Sequence, residues 1–129
     1  MNIKKYLIQL ACMFAAVLVF TFLDYLVHQS SDFLTVPSWY FRNKIIYGTI
    51  YVFLISLFVR TLKIHWQALL ISFITITLLQ IRYYLIGYPS LFHLIIYSEH
   101  LIFLFVSSYG ALYLLENKFK KNKMNFIQN

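Results

Sequence analysis

What this sequence lacks narrows its identity before anything it contains. It has one cysteine, Cys12, set inside a long apolar run, so no intramolecular disulfide and no cysteine-based metal site can form. Cys12 reads as a small buried hydrophobe. Charge is also scarce: 12% of the 129 residues are charged and 61% are hydrophobic, where about 25% charged is usual for a soluble domain. So little charge cannot cover a globular surface, which excludes a soluble enzyme, a secreted disulfide scaffold and a disordered chain. There is no Gly-x-Ser-x-Gly motif, so covalent acyl chemistry has no support. No His-x-x-x-His or His-Glu-x-x-His pair occurs, no internal repeat is visible, and no lipidation or retention motif is present.

What is present is a series of charge-free runs. Tyr6–Leu23 has 18 residues, Ile45–Val59 has 15, Ile64–Ile81 has 18, Tyr83–Ser98 has 16 and His100–Leu115 has 16. Crossing about 30 Å of hydrocarbon takes about 20 apolar residues in a helix. The runs therefore predict an all-α integral membrane protein: one transmembrane domain, a four-transmembrane-helix bundle with short loops. The expected spans are 6–28, 44–62, 65–86 and 91–115, followed by a basic cytoplasmic tail at 116–129. The first apolar run is longer than a signal-peptide core of about 7–15 residues, and no small-x-small site follows it, so it is expected to be retained as a span.

The net charge of +7 is a topological signal rather than a sign of nucleic-acid binding. Both termini and the middle loop share one face, which holds Lys4, Lys5, Arg60, Lys63, Lys118, Lys120, Lys121 and Lys123, eight in all. The opposite face holds Arg42, Lys44 and Arg82, which is three. The positive-inside rule then predicts cytoplasmic termini in a multi-pass protein of a plasma or cytoplasmic membrane. The longest loop, His28–Asn43, contains Pro37, which stops any helix entering it, and an aromatic cluster, Trp39, Tyr40 and Phe41, suited to an interface. Gly87-Tyr88-Pro89-Ser90 reads as a tight turn. The Pro37–Phe41 loop and the four-span layout resemble the sterol-isomerase and sigma-2-receptor-like membrane family over a few residues. Span two carries no acidic residue of the kind that family uses, so its activity is not carried over.

Ionisable residues inside a membrane are costly and mark candidate sites. Asp24 and His28 fall near the outer end of span one, Arg82 near that of span three, and His93, Glu99 and His100 in the outer part of span four. Asp32, Arg42 and Lys44 sit just beyond, and the inner half has no titratable group. This layout predicts a cavity opening outward. Thr21, Asp24 and His28 share one helix face; His93, Tyr97, His100, Ser107 and Ala111 share another, with Glu99 at its edge; Ser72, Thr75 and Arg82 line a third. Arg82 is expected to pair with Asp24 or Glu99, because an unpaired charge at that depth costs about 2.5–3.5 kcal/mol.

The predicted ligand-binding residues are therefore Asp24, His28, Arg82, His93, Tyr97, Glu99 and His100. Asp24, His28, His93 and His100 are of types that bind zinc, but His93 and His100 stand about 10.5 Å apart along a helix. No metal and no cofactor is expected on that basis. The favoured function is binding of a lipid-like or small polar ligand in the outer leaflet, in a receptor, accessory or transport-related role. Arg82, Arg42 and Lys44 are the expected contacts to an anionic or zwitterionic head group. The alternatives are a membrane-embedded enzyme using Glu99 and His100 for acid–base chemistry on a lipid, and a structural subunit whose polar cluster only fixes helix registry. The expected partners are membrane lipids and a lipid-like ligand, with no nucleic acid. Small residues at Ala11/Ala15, Cys12/Ala16 and Ser107/Ala111 would also permit a homo-oligomer or a larger membrane complex.

Overall fold

The computed structural model describes the backbone of residues 3–127 and side chains as far as Lys120. The side chains of 121–129, including the tail lysines Lys121 and Lys123, lie outside the described residues. The chain forms four helices, α1 (Ile3–His28), α2 (Trp39–Phe58), α3 (Ile64–Ile86) and α4 (Ser90–Ile127), with a 3-10 turn at Asp32–Leu34 between α1 and α2. All four are long and apolar enough to cross a membrane. The shortest, α2, has 20 residues and a length of about 30 Å, which just matches the hydrocarbon thickness. Among the described residues there is no strand.

Each helix packs on its neighbours in sequence, and α4 returns to pack on α1. The result is a four-helix bundle with the α1–α2 and α3–α4 connections at one end, called here the loop end. The bundle is apolar on the outside, as hydrocarbon requires. Phe58 is 84% exposed and Leu85 is 79% exposed, and Leu94, Leu114 and Tyr84 also face outward. Polar side chains face inward instead: Thr21, Asp24, His28, Lys44, Ser72, Thr75, Gln80 and His100 are all buried. In lipid this arrangement is favourable because only the bundle interior offers polar groups a partner.

Several helix limits depart from the spans expected from charge: α1 begins at Ile3 and α2 ends at Phe58, short of 62, and two departures are larger. α2 starts at Trp39, two residues after Pro37, whose carbonyl accepts from the Tyr40 amide at 2.9 Å. Proline cannot continue an incoming helix but tolerates a helix starting beside it. The aromatic cluster thus forms the first turn of α2, and Lys44 lies well inside the helix rather than at its edge. At the other extreme, α4 continues as helix past Leu115 to Ile127.

The tight turn at Gly87 is as expected. Gly87 ends α3 with φ of 93°, the left-handed conformation that caps helices, and its amide bonds to the Tyr84 carbonyl at 3.1 Å. A Cβ there would meet no other atom within 4 Å, so backbone strain is the whole cost of substitution. Gly87→Ala should therefore lower stability by about 1 kcal/mol, measured as a drop in melting temperature in detergent. Gly87→Asn should lose less, since asparagine tolerates this region better.

Candidate functional site

The site is centred on the carboxylate of Asp24, on the last two turns of α1. Asp24 is 0% exposed, and a carboxylate in such a place needs charged or donating partners. The helix spacing provides one directly: His28, four residues on, brings its Nε2 to 3.3 Å from Asp24 Oδ1. His100, from the buried stripe of α4, places its Nε2 2.6 Å from the same oxygen. Lys44, from α2, pairs with Asp24 Oδ2. Both His100 and Lys44 are 0% exposed.

Lys44 is held from several sides. Its Nζ lies 3.1 Å from the Tyr40 hydroxyl and 2.8 Å from His100 Nε2. It also sits over aromatic faces, 4.1 Å from the Tyr40 ring centroid and 5.2 Å from that of Phe20, which adds cation–π attraction in a dry setting. The buried stripe of α2, Tyr40, Lys44, Gly48, Val52 and Ser56, advances four residues at a time and so keeps one face toward α1. Tyr40 in turn packs on Tyr83 of α3, with ring centroids 4.6 Å apart.

A second chain of contacts leads away from this centre through α3. Gln80 lies between two histidines: its Nε2 is 3.5 Å from His100 Nδ1, and its Oε1 accepts from His93 Nδ1 at 3.1 Å. Next to His93, Tyr97 and Thr77 join their hydroxyls at 3.1 Å. These residues border a groove between α3 and α4 of about 280 Å³, walled by Ile81, Tyr84 and Leu85 and open to the side. At the loop end a separate polar cleft of about 130 Å³ runs past Asp32, Ser31 and Thr35 to His28.

The expected residues thus divide into groups. Asp24, His28 and His100 converge on one point, and Glu99 stands beside them with Oε2 3.3 Å from His100 Nε2. His93 and Tyr97 lie on the shoulder of α4 facing the groove, one step removed from the centre. Arg82 does not join. The ion pair expected of it with Asp24 or Glu99 is absent: Arg82 is exposed and stacks over the rings of Trp39 and Tyr47, 5.6 and 5.7 Å from their centroids. Its place opposite Asp24 is taken by Lys44, because α2 begins early enough to carry Lys44 inward. This also removes Lys44 from any head-group contact. Three residues of the site were missed by sequence reasoning in this role, namely Tyr40, Lys44 and Gln80. The four-residue spacing of Tyr40 and Lys44 could have shown the first two, and Gln80 could have been found from its position eight residues beyond Ser72 on the polar side of α3.

No protein family, no curated protein and no solved structure matches this chain.

The centre makes an asymmetric energetic prediction. Asp24→Asn leaves Lys44 buried without a counter-charge and should cost about 3–5 kcal/mol. Asp24→Asn combined with Lys44→Met should recover most of that loss. Arg82→Ala should leave the melting temperature in detergent near that of the wild type. Equal losses for Asp24→Asn and Arg82→Ala would contradict the pairing.

Proposed function

We propose that the protein binds a lipid-like amphiphile in the loop-end half of the bundle, with its apolar part in the α3–α4 groove and its polar end at Gln80 and His93. The observation that carries this reading is the groove itself. Its wall is apolar and opens sideways, toward the space that lipid occupies around a multi-pass bundle, while its inner end carries hydrogen-bonding groups. His93 Nδ1 gives its proton to Gln80 Oε1, and its Nε2 has no partner within the protein, so that nitrogen's lone pair is left to accept from a ligand's hydroxyl, ammonium or amide N–H. A cavity of about 280 Å³ is near the lower limit for small-molecule sites, and its open side lets a longer chain extend into the bilayer.

The head group falls to His93 and Gln80 because Lys44 is engaged with Asp24 and Arg82 with Trp39 and Tyr47, and the third expected cation, Arg42, does not line the groove. The eight-to-three distribution of Lys and Arg supports cytoplasmic termini, and with that orientation the groove would face the outer leaflet. Binding is favoured over acid–base catalysis on a lipid because neither Glu99 nor His100 lines the groove; Gln80 stands between it and His100.

Native mass spectrometry of the purified protein with its co-purifying lipids tests this reading. The wild type should carry a specific lipid adduct that His93→Ala weakens by about tenfold, the equivalent of roughly 1.4 kcal/mol. Ile81→Trp, which fills the groove, should abolish it. Identical adduct profiles for all three proteins would refute the assignment.

A further inference from the structure

The convergence of Asp24, His28 and His100 does more than neutralise a buried charge. Their ligand atoms, a carboxylate oxygen and two imidazole nitrogens, all lie within 4.8 Å of one another, and all three residues are buried. Tetrahedral coordination with bonds of about 2.0–2.1 Å sets ligand atoms about 3.3 Å apart. Asp24 Oδ1 and His28 Nε2 are separated by 3.3 Å. Asp24 Oδ1 and His100 Nε2, at 2.6 Å, would have to open by about 0.7 Å to admit an ion.

The hydrogen positions on His28 supply an independent argument. Its Nδ1 faces the Leu34 carbonyl, which can only accept, so Nδ1 carries the proton. In the neutral ring Nε2 then has only a lone pair, and it points at the Asp24 carboxylate. His28 is 3% exposed, and its Nε2 makes no hydrogen bond despite lying so near that oxygen. A lone pair facing a carboxylate in a dry interior is relieved only by a positive species held between them, a proton or a metal ion. A histidine anchored through Nδ1–H on a backbone carbonyl, with Nε2 directed inward, is also how proteins orient an imidazole for a metal. Glu99 stands at the same point: neither of its carboxyl oxygens makes a hydrogen bond, although Oε2 lies 3.3 Å from His100 Nε2.

We infer that Asp24 Oδ1, His28 Nε2 and His100 Nε2 form a binding site for a divalent transition metal of the zinc type, with a fourth position left open. Two nitrogens and one oxygen match what such ions prefer, whereas magnesium and calcium favour oxygen alone. The separation of His93 from His100 does not bear on this set, because the second nitrogen comes from His28 on α1. Lys44 keeps its pairing with Asp24 Oδ2 and gives up its contact with His100 Nε2. His100 then carries its proton on Nδ1, and Gln80 with its amide reversed presents an oxygen to accept it. The cleft past Asp32 gives an ion a polar route to His28 from the loop end. The site lies apart from the lateral groove and is joined to it only through Gln80, and zinc content and lipid adducts are separate readouts.

Metal content and metal response of the full-length protein in detergent decide this. Protein purified without chelator should carry about one zinc per chain by plasma mass spectrometry, and after stripping with EDTA its melting temperature should rise by several degrees on adding zinc chloride. His28→Ala and His100→Ala should bind zinc at least about tenfold more weakly, while His65→Ala should bind it as the wild type does. A wild type that neither holds zinc nor is stabilised by it overturns the inference, as does equal binding by His28→Ala. If His28→Ala does not fold, cobalt added to the stripped wild type decides alone. Tetrahedral ligand-field bands support the site, and the spectrum of aqueous cobalt overturns it.

Discussion

A carboxylate at 0% exposure between four apolar helices is the constraint that the loop-end half of the bundle is built around. In a low-dielectric interior the cost of an unpaired Asp24 would exceed what the neighbouring packing returns, so each adjoining helix contributes something to it. α1 brings His28 from the next turn, α2 brings Lys44, and α4 brings His100. α3 contributes at one remove, through Gln80 on His100 and Tyr83 against Tyr40. Lipid supplies no hydrophobic drive to bring helices together. Polar contacts of this kind therefore fix the rotation of each helix more firmly than aliphatic packing can, and a small shift of any one of them would leave a buried charge without its partner.

The same centre links two different surfaces. On one side it approaches a polar cleft at the loop end through His28. On the other it reaches the lateral α3–α4 groove through Gln80 and His93. Gln80 is the hinge of this linkage chemically, because one amide contacts both histidines and its orientation has to suit the tautomer of each. A change in what His100 bonds to would be felt at His93, at the head of the groove.

Much of this was legible in the sequence. Charge-free runs are a strong signal because the bilayer fixes the length an apolar helix must have, and the four helices follow those runs. The shared face of Thr21, Asp24 and His28 was also correct, since all three are buried. His100 was placed on the interior face for the same reason of periodicity. What failed was the partner of Asp24. Arg82 sits at the edge of the buried side of α3, near its end, where a long side chain can turn outward onto Trp39 and Tyr47. Lys44 reads as a boundary residue in the sequence because charge alone marks the start of span two there. In fact α2 starts at Trp39, and a lysine can lie inside a span when its counter-charge waits opposite. Charge alone does not show which cations are paired, because pairing depends on contacts between helices distant in sequence. Gln80 escaped notice for a simpler reason: it is uncharged, and its role appears only once the two histidines are seen on either side of it.

The central claim is that Lys44 is buried against Asp24 inside the bundle. Solid-state NMR on the protein in lipid bilayers, with nitrogen-labelled lysine and carbon-labelled aspartate and histidine, tests it most directly. The account predicts that one lysine ζ-nitrogen, removed by Lys44→Met, transfers magnetisation to the Asp24 carboxyl carbon and shows no contact with bulk water. A Lys44 signal in exchange with water, without transfer to Asp24, would contradict it.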